Sequence, residues 1–359
     1  MFVIFRTYQL CGFSPFPLSF DPNQICGAKN PSDKGHRRWI IYSCSLLVIL
    51  FLLVVCNFVY HEIHSDTRVS TMLNYLTFLM FSAMRMLAVF VVFESLLTRS
   101  WQMQMLHSLN DVDEILSKDL IVTLDYRHLR RSGLFWLTFW LIKLTSLQTM
   151  IIIMRYGKTR SILSVLLSFW YTVPLFISSI RYYQVTHYIE LIGYRFKLLS
   201  NYAYSICKRE FEIKSKPQTP MDKEDNFKRN NDLYDKVVRI RHIYHNLWQA
   251  TIFLNGSFRW SLLLSIGCSF VIILVNSYRS LLYALSKPDD RAKFGGNSII
   301  IFFIWAVFHS IYFVKLSASC YNVLRKVKEI PIFLHNLAFE RLDHRLNILV
   351  NTLGIEIKN

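Results

Sequence analysis

The sequence predicts an all-α fold, a polytopic bundle of membrane helices, from its composition and from the length of its apolar runs. Hydrophobic residues make up 53% of the 359 residues and charged residues only 18%, whereas a soluble protein of this size covers its surface with more charge. Six apolar runs are long enough to cross a hydrocarbon core of about 30 Å as helices. The runs are rich in Leu, Ile, Phe and Val and do not alternate with polar residues as barrel strands do.

The six predicted spans follow one another along most of the chain. They occupy residues 39–60, 72–97, 133–154, 162–180, 260–278 and 298–316. Pro174 lies inside the fourth run, and we expect it to kink that helix because proline lacks the N–H that the helix needs. This division leaves an N-terminal segment over 1–38, the six-span bundle over 39–316 and a polar tail over 317–359.

The distribution of Lys and Arg predicts which side of the membrane each connection occupies. The N-terminal segment, the second and fourth connections and the tail carry 29 of these residues, and the other three connections carry eight. Because cytosolic connections are enriched in Lys and Arg, both ends of this chain are expected in the cytosol. The net charge of +17 is then explained by the inner membrane surface, and no nucleic acid partner is expected. A cytosolic N-terminus and six spans exclude a G-protein-coupled receptor.

Helical periodicity continues beyond the fourth span. Apolar residues recur at helical spacing over 181–214, so we expect this span to extend into the cytosol as an amphipathic helix. Residues 215–232 hold two prolines and dense charge of both signs and are predicted to be a flexible linker. Helix is expected to resume over 233–259 and to lead into span five.

The tail carries an apolar stripe at helical spacing. A helix of this kind buries its apolar face against a partner, so the stripe predicts an interaction surface. Its residues are Ile332, Phe339, Leu342, Leu346, Leu349 and Leu353.

Two cations lie close to the midpoints of predicted spans, Arg85 in span two and Lys143 in span three. An ionisable side chain at this depth faces protein or water rather than lipid. No Asp or Glu lies near the middle of any span, so the partners are aromatic rings, carbonyls, water or an incoming ligand. Two interpretations stay open: local groups satisfy these cations, or the cations form the polar wall of a ligand cavity.

Four aromatic side chains lie deep in the predicted spans. Tyr and Trp are enriched at membrane interfaces in general, but these four lie deeper and either pack in the bundle or line an apolar pocket. They are Trp140, Trp170, Tyr171 and Trp305.

The sequence has no signature of an enzyme or of a metal site. The histidine pairs at 61/64 and 242/245 have no third ligand nearby, and the seven cysteines show neither metal-binding nor disulfide spacing. No nucleophile motif, phosphate-binding loop or carboxylate pair within the spans is present. We therefore expect no catalytic activity, no cofactor and no metal.

Three stretches resemble arthropod gustatory receptors. The first, "YQLCGFSPFPLSF", is similar to the opening of these receptors. The second, "NLWQATIFLNGSFRWSLLLSIGCSFVIILVNSYRSLL", is similar to their fifth helix with its cytosolic approach. The third, "KEIPIFLHNLAFERLDHRLNILVNTLGIEIKN", resembles the amphipathic segment before their last span. The resemblance covers essentially the whole chain and agrees with the predicted cytosolic N-terminus.

This resemblance implies a tetrameric, ligand-gated, non-selective cation channel. Six helices would surround a ligand pocket open to the outside, and the cytosolic extensions with the tail over 317–359 would form an anchor between subunits. The chain would bind a small tastant and contact membrane lipid. It would assemble as a homo- or hetero-tetramer with other gustatory receptor subunits in the cell membrane of a sensory neuron.

The family's seventh, pore-lining helix with its Thr-Tyr…Gln-Phe signature has no counterpart before Asn359. We therefore expect a shortened chain, or a receptor subunit that does not conduct by itself. A six-span transporter is the alternative from another class, and its sign would be broken spans at matching positions of the two halves. Pro174 has no such counterpart in the other half.

Overall fold

The computed structural model describes residues 2–16, 33–63, 71–122, 124–159, 162–214, 223–285 and 296–341. These residues form eight α-helices and no β-strand, so the predicted all-α fold class is confirmed for this part of the chain. In chain order the helices are α1 (Phe2–Leu10), α2 (Asp33–Ile63), α3 (Thr71–Leu97), α4 (Arg99–Lys118), α5 (Arg127–Thr159), α6 (Ile162–Lys214), α7 (Lys223–Leu285) and α8 (Gly296–Arg341).

The six predicted spans lie in six different helices, namely α2, α3, α5, α6, α7 and α8. Among the described residues, two helical stretches, Arg37–Cys56 and Lys228–Tyr278, are long and apolar enough to cross a membrane. α2 also exposes large apolar side chains, Phe51 and Leu52 among them, as a lipid-facing helix does. The number of spans and their orientation stay predictions.

α6 and α7 are far longer than a bilayer requires. They contain 53 and 63 residues, which corresponds to about 80 and 95 Å at the α-helical rise. α6 continues through Pro174, and Ser178 Oγ donates a hydrogen bond to the Pro174 carbonyl at 2.9 Å. In both helices the stretch assigned to a span runs directly into a polar stretch without a turn.

The segment predicted as a linker, 215–232, is helical in its second half. α7 already begins at Lys223, and residues 215–222 lie outside the described residues. Arg229 donates a hydrogen bond to Glu210 of α6 at 2.7 Å, and Lys236 pairs with Asp232 one turn earlier. Two charges of the predicted linker, Arg229 and Asp232, therefore form ion pairs, one with α6 and one along α7.

α4 is a helix that the sequence interpretation did not assign. Its buried residues recur at three- and four-residue spacing, which is the pattern of an amphipathic helix, and they pack against α7. Thr98, between α3 and α4, donates through Oγ1 to the Ser257 carbonyl of α7 at 3.2 Å. The buried residues are Gln102, Met105, Leu106, Leu109, Val112, Asp113 and Leu116.

The first residues of the chain, which begin the predicted N-terminal segment 1–38, are packed into the bundle. α1 contacts α5 and α6. Gly12 has a φ of 76°, a conformation that favours glycine, and the turn lets Gln9 Nε2 donate to the Phe16 carbonyl at 2.8 Å. Fully buried here are Ile4, Phe5, Tyr8, Phe13 and Phe16.

α6 is the central helix of the packing, since it contacts α3, α5, α7 and α8. Beyond residue 180 it buries a continuous face that includes Tyr188, Leu191, Phe196 and Leu199. Because this face lies after residue 180, much of the hydrophobic core belongs to the predicted extension of α6 and not to the predicted span.

Candidate functional site

The predicted cation Lys143 lies among aromatic rings between α5 and α8. Its Nζ is 4.5 Å from the ring centre of Trp140, 4.7 Å from that of Phe308 and 4.9 Å from that of Tyr312. The side chain is 5% exposed. A cation over a ring face is attracted by the ring quadrupole, by about 2 kcal/mol when both are desolvated. Aromatic rings are therefore partners of Lys143, and they are among the possible partners that the sequence analysis named.

Large side chains join α5 and α8 in an antiparallel row. Trp140 stacks on Tyr312 with ring centres 3.6 Å apart and planes 3° apart, and at one end Lys315 Nζ lies 4.9 Å from the ring centre of Trp136. Each helix thus offers a lysine to an aromatic ring of the other helix. The members have the same spacing of four and three residues on both helices, which places them on one face. We call them the aromatic row: Trp136, Trp140, Lys143, Phe308, Tyr312 and Lys315.

Two further helices reach the aromatic row. The ring of Tyr182, from α6, lies 5.2 Å from that of Tyr312. His309 Nδ1 lies 3.2 Å from Ser269 Oγ of α7, and its ring lies 5.8 Å from that of Tyr312. Four helices therefore meet at a place with ring faces for stacking, an ammonium donor and a hydroxyl. These groups can stack on apolar surfaces and donate hydrogen bonds to oxygen.

Of the six predicted pocket residues, the structure brings two together, Lys143 and Trp140. Arg85 is buried on α3, which packs against α2, α6 and α7. The pocket role of all six remains a proposal. Three of them have side chains outside the described residues: Trp170, Tyr171 and Trp305.

The predicted anchor stripe lies mostly beyond the described side chains. Ile332 is 56% exposed on α8, so its apolar side chain is available for a partner. α8 continues to Arg341 through Pro331. The other members lie outside the residues whose side chains are described: Phe339, Leu342, Leu346, Leu349 and Leu353.

Sequence reasoning missed Phe308, Tyr312, Tyr182, His309 and Ser269. A signal for the first two existed, because Phe308, Tyr312 and Lys315 repeat the spacing of Trp136, Trp140 and Lys143. The pairing of these two faces depends on which helices are neighbours, and a single sequence does not state that.

A buried ion pair fixes α3 to α6 and α7. Arg181 Nη2 lies 3.0 Å from Glu94 Oε2, and both side chains are almost fully buried. The other carboxylate oxygen accepts the backbone N–H groups of Trp260 and Ser261, each at 3.1 Å. The guanidinium also lies 4.1 Å from the ring centre of Phe258. The Glu94 carboxylate is thus satisfied by a side chain and by backbone, as a buried charge must be.

A second buried ion pair joins α4 to α6. Arg195 donates from Nε and Nη2 to the two oxygens of Asp113 at 2.8 and 2.7 Å, and Tyr126 donates to Oδ1 at 2.6 Å. Burial alone would lower the pKa of Arg195, but the Asp113 carboxylate more than offsets this and the pKa is raised. Burial is the main reason that the pKa of Tyr126 is raised. Asp113 therefore accepts hydrogen bonds from a permanently charged and a permanently neutral donor.

A third ion pair lies at the Lys315 end of the aromatic row. Lys315 of α8 pairs with Glu190 of α6, and Ser319 Oγ donates to the same carboxylate at 3.3 Å. Ser319 follows Tyr312 by seven residues and so lies on the same face of α8. One face of α8 thus connects the ring contacts with the part of α6 beyond its predicted span.

An apolar helical bundle whose buried cations lie over aromatic rings fits a membrane protein. The family model for the 7tm chemosensory receptors matches residues 1–358. The chain therefore belongs to the 7tm chemosensory receptor family, a family of membrane-embedded receptors and not of enzymes. The predicted resemblance to gustatory receptors is confirmed.

A relative among known proteins agrees with this family. The chain is similar to a Drosophila melanogaster protein named "Putative gustatory receptor 2a", with 21% identity over 370 aligned residues. The alignment covers 97% of this chain and 80% of the relative.

Proposed function

We propose that this chain is a gustatory receptor-like chemoreceptor subunit that binds small tastants and takes part in an assembled channel with a ligand-gated, non-selective cation pore. It acts in the cell membrane of a sensory neuron, as a multi-pass protein in a homo- or hetero-tetramer with other gustatory receptor subunits. Membership of the chemosensory receptor family supports the receptor role. The aromatic row is the site at which we propose that the tastant binds.

The observation that carries this proposal is the position of Lys143 over three rings. Ring faces and an ammonium side by side favour a ligand with hydroxyl or carbonyl oxygens on an apolar frame, because the oxygens accept hydrogen bonds while the frame stacks. We propose that the predicted pocket residues line the same ligand site as the aromatic row. They are Arg85, Trp170, Tyr171 and Trp305.

A ligand at the aromatic row has a structural route to the cytosolic side. It would shift the ring pair of Trp140 and Tyr312, and Tyr312 lies on the α8 face that ends at Lys315 and Ser319. Because packed helices move as rigid units, a small displacement at the rings is transmitted along α8. Ile332, further along this helix, is proposed to contact a neighbouring subunit with the rest of the tail stripe.

The test uses calcium imaging in cells that express the chain with gustatory receptor subunits and are exposed to a panel of sugars and plant alkaloids. We expect a response to one class, and we expect Lys143→Gln and Trp140→Leu to shift its half-maximal concentration at least tenfold at normal surface expression. Lys197→Gln, at an exposed site on α6, is the control and should leave it unchanged. Responses of both row variants identical to that of the unmodified chain would contradict the proposed site.

A further inference from the structure

A separate apolar groove lies between α6, α7 and α8. Its cavity volume is about 470 Å³, within the range of small-molecule sites. One stripe of each helix forms the walls, over residues 185–196 of α6, 248–262 of α7 and 320–327 of α8. No member of the aromatic row lines it, so the groove is a second site and does not depend on the proposed tastant site.

The groove is long and runs away from the membrane. Val185 and Leu262 line the end nearest the predicted spans, and Phe196 and Trp248 line the far end. α6 and α7 run in opposite directions, so the first residue of the α6 stripe and the last residue of the α7 stripe lie at the same end of the groove. The α7 wall alone extends over about 21 Å at the α-helical rise. This shape fits one extended chain rather than a compact ligand.

The charge of the lining is placed at one end. The walls are aliphatic and aromatic except for a few groups, and Arg259 is the charged residue of the described lining. It directly precedes the predicted fifth span, at the inner membrane interface. Its side chain is exposed, and its guanidinium lies 5.2 Å from the ring centre of Trp260. Arg and Trp side chains at this level are typical of the interface between lipid and water.

We propose that the groove binds the anion of a long-chain fatty acid. The carboxylate lies at Arg259 and the single alkyl chain lies between α6, α7 and α8. Guanidinium and carboxylate form charge-assisted hydrogen bonds, and the apolar walls remove the chain from water. A phospholipid fits less well, because its second chain would have no apolar wall below the membrane. The bound chain would hold α6, α7 and α8 together at the start of the cytosolic extension.

The test is direct binding to the full chain in a neutral detergent. Palmitate with a terminal diazirine is bound, photo-crosslinked and mapped by mass spectrometry of peptides. We expect labels within 185–196, 248–262 and 320–327, and competition by unlabelled palmitate but not by hexadecanol. In a series of shorter fatty acids, affinity should increase about fourfold per methylene and then level off when the groove is full.

Two variants with matched controls test the two ends of the site. Arg259→Gln should weaken binding about tenfold, since it removes one charge-assisted pair, whereas Arg131→Gln, at an exposed site at the start of α5, should not. Thr251→Phe narrows the groove and should abolish labelling, and Thr138→Phe, at an exposed position of α5, is its control. If Thr251→Phe does not fold, the comparison of Arg259→Gln with Arg131→Gln is sufficient to test the proposed site.

Three results would overturn the proposal. Labels spread evenly over exposed side chains would indicate bulk partition into the micelle. Equal competition by hexadecanol would remove the role of the carboxylate. Stronger competition by a phosphatidylserine than by palmitate would assign the groove to a membrane phospholipid. None of these readings depends on a tastant response, so the failure of this site and that of the proposed receptor function are distinguishable.

Discussion

Trp101 of α4 occupies the space that a side chain at residue 256 of α7 would need. A Cβ built on Gly256 would lie 1.6 Å from Cζ3 of the Trp101 indole. Trp101 also makes an edge contact with Phe253, one turn earlier on α7, at 6.5 Å between ring centres. The close approach of α4 to α7 therefore depends on the absence of a side chain at this position.

We expect Gly256→Ala to destabilise the protein by about 1–3 kcal/mol, because overpacking forces a displacement of the indole or of the helix. The measurement is thermal unfolding of the purified protein in detergent. Gly267→Ala is the matched control on the same helix, since a Cβ there meets no atom within 4 Å. That control should be neutral or slightly stabilising, because Ala favours helix over Gly. A Gly256→Ala protein as stable as the Gly267→Ala protein would contradict the tight crossing.

The buried pair of Asp113 and Arg195 leads to a second prediction. Asp113→Asn leaves a fully buried guanidinium without its charge partner, and we expect a loss of about 3–5 kcal/mol in the free energy of unfolding. Glu114→Gln, at the next residue, breaks the exposed pair with Lys118 and should leave the free energy of unfolding nearly unchanged, because solvent screens a surface pair. Both are read from the same thermal unfolding experiment. Equal losses for the two variants would show that the buried pair has no special role.

Hydrophobic run length was sufficient to predict the all-α class and the six long helices that contain the runs. α4 was missed because its apolar residues are few and its charges were counted only as loop charges, although Leu109, Val112 and Leu116 have helical spacing. The burial of α1 was also missed. Nothing local in the sequence distinguishes a segment that packs against the bundle from one that does not.

The sequence predicted the candidate site only in part, because the rest of the site depends on which helices are neighbours. Lys143 was recognisable because a cation deep in a span needs a partner, and Trp140 lies one turn before it. Tyr312 and Phe308 depend on the pairing of α5 with α8, which is a tertiary property. The ion pair of Glu94 with Arg181 spans 87 positions in sequence, and charge pattern alone does not indicate such a pair.

His187 provides a prediction of pH dependence. It lies on α6 beyond the predicted span, its ring stacks 5.9 Å from that of Tyr183, and burial lowers the pKa of His187 to about 3 from 6.5. Between pH 6.5 and about 3 the folded protein therefore binds fewer protons at His187 than the unfolded chain does. The neutral imidazole costs no stability above pH 6.5, and the free energy of unfolding decreases as the pH falls below that value. At pH 5 the loss from this group should be roughly 2 kcal/mol. His187→Phe should flatten the decrease in thermal stability between pH 7 and 5, and an unchanged slope would contradict the prediction.

The stacked pair of Trp140 and Tyr312 predicts an energetic coupling between α5 and α8. Parallel rings 3.6 Å apart contribute about 0.5–1.5 kcal/mol beyond the area they bury. We therefore expect Trp140→Leu and Tyr312→Leu to destabilise the protein individually, and the double variant to lose less than the sum by about that amount. The free energy of unfolding is compared for the four proteins of this cycle. A second cycle pairs Trp140→Leu with Tyr204→Leu, at an exposed site of α6 beyond its predicted span, and there the effects should add. Additive losses in the first cycle would mean that the two rings do not stabilise each other, and the aromatic row could then not transmit a displacement from α5 to α8.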